Sequence, residues 1–307
     1  MVQLGIKHAD IVHAVAFAPD GSAVASAGDD GRVLVWDLTT GLARTLPGQA
    51  VSVFSVAFAP DGKTLAANCW DGKKGFVELR SYPSGEVKAT FGDRKQHGWA
   101  IRYSPDGSRL AVDGSNVELW DAQGEKKLYV LRARAQALAF SREGKTLATG
   151  NNGEIIHLWD VVSGQELRAL DGKPGGVYSV AFSPDGKLLA TVSNEIFATK
   201  ENAFGLAPGF VKIWDLATGT AQSEFRGTYQ IRSLAFSPDG RTLAVGQRDG
   251  NVLYWDTTAR RMMETVRATR PGINALAYSP DGRILAAGCQ DGTVKMLQPP
   301  RPQQSNP

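Results

Sequence analysis

The sequence predicts an all-β protein assembled from seven similar short units. A Pro-Asp-Gly turn recurs along the chain and ends at Gly21, Gly62, Gly107, Gly186, Gly240 and Gly282, with a related Arg-Glu-Gly turn ending at Gly144. Successive glycines lie between 37 and 54 residues apart, and a period of this length is typical of repeat architectures. Turn residues interrupt every apolar stretch before an amphipathic helix could form, so each unit is predicted to consist of strands.

The first unit shows the pattern of the others. Apolar segments at residues 12–17, 24–27, 33–36 and 42–46 alternate with turns, which predicts four strands. Proline presets φ in the first turn, and glycine takes the positive φ that bulkier residues resist. An Asp-Gly or Asn-Gly pair marks the second turn as a tight hairpin, at Asp30-Gly31, Asp71-Gly72, Asn152-Gly153, Asp249-Gly250 and Asp291-Gly292.

Trp-Asp pairs end the third strand of five units, at Trp36-Asp37, Trp120-Asp121, Trp159-Asp160, Trp214-Asp215 and Trp255-Asp256. With these pairs the chain resembles the WD-repeat β-propellers, in which four-stranded blades surround a central channel. Arg80-Ser81 and Leu297-Gln298 replace the pair in two units whose strands and turns still align. The resemblance therefore implies an all-β, seven-bladed WD-repeat β-propeller.

The two ends of the chain are expected to meet in one blade. The seventh unit stops after its third strand, whereas an extra strand at residues 2–7 precedes the first unit. That strand would complete the last blade and close the ring without a free sheet edge. We therefore expect one propeller domain over residues 1–298 and a proline-rich disordered tail or linker over 299–307.

Composition indicates a monomeric, cytoplasmic propeller domain without a membrane segment, cofactor or metal. The 34 basic and 31 acidic residues give a formal charge of +3, which is weak electrostatic evidence for nucleic acid. No segment has the length and hydrophobicity of a membrane helix, and the N-terminus does not resemble a secretion signal. Cys69 and Cys289 occupy equivalent positions in blades two and seven and are expected to lie too far apart to bridge, which favours a reducing compartment. The four histidines show no metal-ligand spacing with these cysteines.

One set of polar residues is predicted to be structural. The family resemblance implies that His8, Ser26, Asp30 and Trp36 form a buried hydrogen-bonded set in blade one. Of the other blades, only Thr149 and Thr191 align with Ser26. We therefore expect the remaining blades to depend more on apolar packing. A catalytic role for His8 is disfavoured against this structural one.

The candidate binding site is a column of residues that does not repeat. Four positions before the Phe or Tyr that ends each first strand stand His13, Phe54, Trp99, Gln136, Tyr178, Arg232 and Asn274. The resemblance implies that this column rings the channel mouth on the top face, the usual partner surface of the family. Its aromatic, cationic and amide groups are typical of binding hot spots. Trp70 and Arg248 are expected farther out on the same face. The alternative is that Phe54, Trp99 and Tyr178 fill space between blades.

Blade five carries a second candidate contact. From Thr191 to Asp215 there are 25 residues, against 13 from Ala25 to Asp37 in blade one. The extra residues lie within 194–209 and include Phe197, Phe204 and Leu206. They form either a contact loop on the top face or a loop that covers its own blade edge.

The function that these patterns favour is non-enzymatic binding of a peptide or protein over the top-face channel mouth. The column contains no carboxylate, and no nucleophile with a neighbouring base is evident. Two alternatives remain: an enzyme or ligand-binding propeller with a small-molecule site in the channel, and nucleic-acid binding through basic top-face loops. Acidic residues such as Asp71, Asp93 and Asp171 share those loops and weaken the nucleic-acid alternative.

Overall fold

The computed structural model describes residues 2–3, 6–48, 50–151, 153–172, 175–197 and 205–300. These residues form seven four-stranded antiparallel sheets arranged as the blades of a ring. The predicted seven-bladed β-propeller is therefore confirmed, including the two blades that lack Trp-Asp.

The strands follow one another in chain order within each blade. Blade one consists of β2 (Val12–Phe17), β3 (Ala23–Gly28), β4 (Val33–Asp37) and β5 (Ala43–Leu46), and blade two of β6 (Ser52–Phe58), β7 (Thr64–Trp70), β8 (Gly75–Ser81) and β9 (Val87–Arg94). Blade three consists of β10 (Ile101–Tyr103), β11 (Arg109–Val112), β12 (Val117–Asp121) and β13 (Lys127–Leu131), and blade four of β14 (Ala137–Phe140), β15 (Thr146–Gly150), β16 (Ile155–Asp160) and β17 (Glu166–Asp171).

The remaining blades repeat this order. Blade five consists of β18 (Gly176–Phe182), β19 (Leu188–Phe197), β20 (Gly205–Asp215) and β21 (Thr220–Arg226), and blade six of β22 (Ile231–Phe236), β23 (Thr242–Gln247), β24 (Asn251–Asp256) and β25 (Arg261–Arg267). Blade seven consists of β26 (Ile273–Tyr278), β27 (Leu285–Cys289), β28 (Val294–Leu297) and the N-terminal β1 (Val2–Gln3).

The ring closes as the sequence predicts, because β1 pairs with β28. Val2 lies opposite Met296 and Gln3 opposite Lys295 in antiparallel register. The observed closing strand covers residues 2–3 of the predicted 2–7. Of the tail, Pro299 and Pro300 follow β28 outside any strand, and 301–307 lie outside the described residues, so its disorder stays a prediction.

The core lies between the blades, and the first strands of neighbouring blades contact one another around the channel. Each of the seven clusters of buried apolar residues found among the described residues joins two adjacent blades. Cys69 and Cys289 are both buried in this core and free. Because each blade buries its apolar faces against two neighbours, the ring holds its inner strands rigidly.

The Pro-Asp-Gly turns lie at the opposite end of the first strand from the candidate site. Gly21 adopts a φ of 74°, which a side chain would strain. In four blades the serine two positions before the turn aspartate donates its hydroxyl to that aspartate, as in Ser183 to Asp185 at 2.6 Å. We call the face with these turns the bottom face and the face where the first strands begin the top face.

Candidate functional site

All seven residues of the non-repeating column line one cavity at the top of the channel. The cavity encloses about 310 Å³, and its lining includes His13, Phe54, Trp99, Gln136, Tyr178, Arg232 and Asn274. They converge because the same position on seven first strands faces the ring axis. Arg248, expected farther out, lines this cavity too, whereas Trp70 lines a neighbouring depression of about 530 Å³ that shares Trp99 and Gln136. That the column binds a partner stays a prediction.

An aromatic cluster occupies the blade one to blade three side of the mouth. We define it as His13, Phe54, Trp70, His97 and Trp99. The His97 ring stacks on Phe54 at 4.6 Å between centroids and meets Trp99 edge-on at 5.1 Å. Phe54 is 9% exposed and therefore fills space, whereas Trp99 is 42% exposed. Of these two residues of the column, only Trp99 presents its ring to solvent.

His97 was missed by the sequence argument because it stands outside the aligned column, two residues before Trp99. Burial lowers the pKa of the His97 imidazole, and the neighbouring His13 lowers it further. A lowered pKa keeps the ring neutral near pH 7, so it packs as an aromatic residue.

A buried carboxylate fixes the backbone beneath Trp99. Asp113 accepts the Trp99 N–H at 2.9 Å and the Ala100 N–H at 2.8 Å. Burial raises the pKa of this carboxyl to about 7, against the lowering effect of those N–H donors. Gly98 is required here, because a Cβ on it would lie 2.3 Å from Asp113 Oδ1. The exposed indole therefore projects from an anchored main chain.

Three arginines line the cavity, and one of them, Arg102, stands outside both the aligned column and the expected outer positions. Arg102 donates to the Ile101 carbonyl at 2.8 Å and to Ser55 Oγ at 3.4 Å. Arg232 lies over the Tyr178 ring at 5.1 Å. Burial lowers the pKa of the Arg232 guanidinium, and the neighbouring cation Arg248 lowers it further. We call Arg102, Arg232 and Arg248 the cationic trio.

A second column could have revealed Arg102. It stands one position before the terminal Tyr103 of its strand, where every other blade has alanine, namely Ala16, Ala57, Ala139, Ala181, Ala235 and Ala277. Small side chains fit this position because the inner strands crowd around the axis. One arginine in an alanine column is therefore a departure from the packing pattern.

Serines on the inner strands join neighbouring blades beside the site. Ser233 accepts the Leu276 N–H at 2.9 Å, and Ser55 accepts the Ile101 N–H at 3.3 Å. Each bond runs from one first strand to the next, so the cavity wall is tied by polar bonds as well as packing.

In blade one, His8, Asp30 and Ser26 form a buried hydrogen-bonded triad. His8 Nδ1 lies 2.8 Å from Asp30 Oδ1, and His8 Nε2 lies 2.6 Å from Ser26 Oγ. Burial lowers the pKa of His8 despite the opposing effect of Asp30, so the neutral ring donates to Asp30 and accepts from Ser26. Trp36 is buried beside them, but its Nε1 has no hydrogen-bond partner among the described residues. The observed set is therefore three residues and not four.

Of the other four Trp-Asp indoles, three have hydrogen-bond partners, whereas Trp255 Nε1 has none among the described residues. Trp159 and Trp214 donate to Thr149 and Thr191, each at 3.0 Å. These are the two threonines that align with Ser26. Trp120 donates to Glu118 at 3.0 Å.

The blade-five insertion extends a hairpin where the sequence suggested a loop. β19 and β20 stay paired to Ile196 opposite Leu206 and Phe197 opposite Gly205. Phe204 lies outside the described residues, so its contact role stays a prediction, as do those of Phe197 and Leu206.

The fold and its ring of repeats define a WD-repeat β-propeller. The family model described as "WD domain, G-beta repeat" matches residues 2–37, 41–73, 164–215, 219–256 and 262–296, which is more than half of the chain. The chain therefore belongs to the WD40 repeat family. The unmatched segment 74–163 contains Trp99, Arg102 and Asp113.

Relatives with WD-repeat names cover much of the chain. It is 30% identical over 270 residues to "Small ribosomal subunit protein RACK1y" of Oryza sativa subsp. japonica, covering 81% of this chain and 75% of that protein. It is 27% identical over 221 residues to "WD repeat-containing protein SL1-17" of Schistosoma mansoni, covering 61% and 71%. The match to "Periodic tryptophan protein 2" of Arabidopsis thaliana, 28% identical over 204 residues, covers 63% of this chain but 21% of that longer protein.

The described residues include no helix long and apolar enough to cross a membrane.

Proposed function

We propose that this chain is a non-enzymatic interaction platform that binds a peptide or protein partner over the top-face channel mouth. The observation that carries the proposal is the convergence of all seven non-repeating residues on one cavity. Positions that maintain the ring repeat from blade to blade, whereas this column holds a different residue in every blade. WD-repeat proteins typically act as interaction scaffolds, and membership of this family supports the same role here.

The mouth provides the physical requirements of a binding surface. Trp99 offers an exposed indole on an anchored backbone, and Tyr178 is held against Arg232. Aromatic and arginine side chains dominate the energetics of many interfaces. Because these groups are positioned before binding, little side-chain entropy is lost on association.

We also propose that the domain is monomeric and cytoplasmic. Both thiols are buried and free, which fits the reducing cytoplasm that we propose as its location. Nucleic acid is not the proposed partner.

The test compares captured partners across matched variants. The full chain, a Trp99→Ala/Tyr178→Ala variant and a Tyr129→Ala control are immobilised and exposed to lysate of the source organism. Tyr129 is an aromatic of similar exposure, 37%, on the outer strand of blade three. Partners are identified by quantitative mass spectrometry, and the affinity of each is then measured with purified protein.

We expect the double variant to lose the partners that the wild type and the control retain, with an affinity loss of about tenfold or more. Urea unfolding of each variant separates binding from folding. If the double variant is destabilised but retains the same partners at the same affinity, these aromatics fill space and the proposed site is wrong.

A further inference from the structure

We propose that the partner inserts a carboxylate into the channel mouth and that the cationic trio recognises it, so that the ligand is an acidic peptide segment. This inference rests on the proposed function and specifies the chemistry of the partner.

The charge balance of the cavity is the first observation. Its described lining contains Arg102, Arg232 and Arg248 but no aspartate or glutamate. None of the three guanidinium groups forms an ion pair within 4.0 Å among the described residues. The cavity therefore holds three cations that form no ion pair with a carboxylate in the described part of the chain.

Two acids near the cavity lie away from blade six. Asp29 Oδ1 lies 2.9 Å from His13 Nε2 on blade one, without hydrogen-bond geometry. Asp113 attracts Arg102 electrostatically, but its two carboxylate oxygens accept the backbone N–H groups of Trp99 and Ala100. Neither acid neutralises the blade-six side of the cavity.

The second observation is the unused hydrogen-bonding capacity of blade six. The Arg232 guanidinium carbon lies over the Tyr178 ring, and the group donates no hydrogen bond to a described residue. Arg248 donates one bond, to Gln230 Oε1 at 3.3 Å. An arginine has five N–H donors in a planar fork that matches a carboxylate. Two neighbouring cations with free donors repel each other, and an anion placed between them relieves this repulsion.

The shape of the mouth favours a peptide over a free anion. Arg232 and Arg248 of blade six share the cavity with Trp99 of blade three, whose exposed indole presents apolar surface. A cavity of about 310 Å³ accommodates one or two side chains. The surface thus fits a segment in which an acidic residue enters beside the arginines and an apolar neighbour covers the exposed indole.

The test selects ligands without assuming a sequence. A library of random dodecapeptides is displayed and selected against the full chain, and one enriched peptide is synthesised for titration. We expect the selected peptides to be enriched in Asp and Glu, and Glu→Gln or Asp→Gln replacement of the enriched acid to weaken binding at least about tenfold. Binding should also weaken as salt increases.

Protein variants identify the recognising groups. Arg232→Gln and Arg248→Gln should each weaken peptide binding about tenfold or more. The affinity of Arg232→Lys should fall between those of wild type and Arg232→Gln, because lysine keeps the charge but loses the planar fork of N–H donors. Arg283→Gln makes the same charge change at a 77% exposed bottom-face site and should leave affinity unchanged. Equal urea midpoints show that a variant has folded.

Other outcomes overturn the inference in distinguishable ways. Neutral or basic selected peptides whose binding depends on Trp99 but not on the cationic trio would refute recognition of a carboxylate, but not the proposed peptide-binding function. Selected peptides that depend on neither group would refute both. If no acidic peptide binds, but inorganic phosphate or a 20-nucleotide single-stranded DNA binds and is lost in Arg232→Gln, the ligand is a free anion or a nucleic acid.

Discussion

The buried ion pair of blade two gives the sharpest test of how this ring is stabilised. Arg80 occupies the position of the Trp in Trp-Asp, and its Nη2 donates to Glu78 Oε2. Its side chain is 2% exposed and that of Glu78 10% exposed. The link between blades one and two packs directly on the pair, since a Cβ on Gly48 would lie 3.1 Å from Arg80 Nη2. We choose Glu78→Leu as the perturbation because it removes the carboxylate and adds no new polar group.

The expected loss follows from what remains around Arg80. Without Glu78 its guanidinium keeps one neutral bond, to the Gly85 carbonyl at 3.1 Å, and its Nε already lacks a partner among the described residues. Removing one member of a buried pair costs about 3–5 kcal/mol, because the other charge stays buried and uncompensated. Replacing both members with apolar residues is often neutral or stabilising. The double variant Glu78→Leu/Arg80→Trp reproduces the Leu34 and Trp36 of blade one, and we expect it to recover most of the loss.

The assay is equilibrium urea unfolding of wild type, both single variants and the double variant, followed by intrinsic fluorescence. The unfolding free energies form a double-mutant cycle whose coupling term isolates the pair. A Glu78→Leu loss below about 1 kcal/mol would show that Arg80 reaches solvent or another anion. A double variant as unstable as the single one would show that the loss comes from packing and not from charge.

Two further predictions concern the other polar contacts of the ring. Thr191→Val leaves the Trp214 indole N–H without its acceptor and should lower the unfolding free energy by about 1–3 kcal/mol. The control Val245→Thr supplies a hydroxyl at the aligned position of blade six and should not lower the unfolding free energy. Equal losses from the two variants would refute the hydrogen-bond assignment. Burial holds the pKa of His8 below its usual 6.5, so as pH falls through 6.5 the unfolded state takes up the proton first and stability decreases. Urea unfolding between pH 5 and 8 should show that the unfolding free energy of wild type decreases as pH falls, and that this dependence is weaker in His8→Gln. An identical pH dependence in both proteins would show that other groups cause it.

Much of the fold was predictable because the repeat provides an internal alignment. The Pro-Asp-Gly turns fix the end of each first strand, and counting back four residues selects the channel-facing side chains in all seven blades. The seventh unit stops after its third strand, which predicted that β1 completes the last blade. These predictions rest on backbone periodicity, which sequence spacing records directly.

The hydrogen-bond partners of side chains were less predictable, because they depend on how residues of different aligned columns lie relative to one another. Alignment with Ser26 pointed to Thr149 and Thr191, yet it did not show that their hydroxyls meet the indoles while Trp36 finds no acceptor. The blade-five insertion has a length that fits either a loop or a longer hairpin. Only its strand pairing distinguishes them.

Arg102 shows which kind of departure from a repeat has most value as evidence of function. A column that differs in every blade could reflect relaxed packing, because no residue type is required there. The alanine column is different, since six blades keep the smallest chiral side chain where the inner strands approach the axis. A guanidinium at this position places a charge in the channel, where its side chain is exposed. Packing of the inner strands does not require that charge, so the exception in a regular column is stronger evidence for a ligand than the variation of an irregular one.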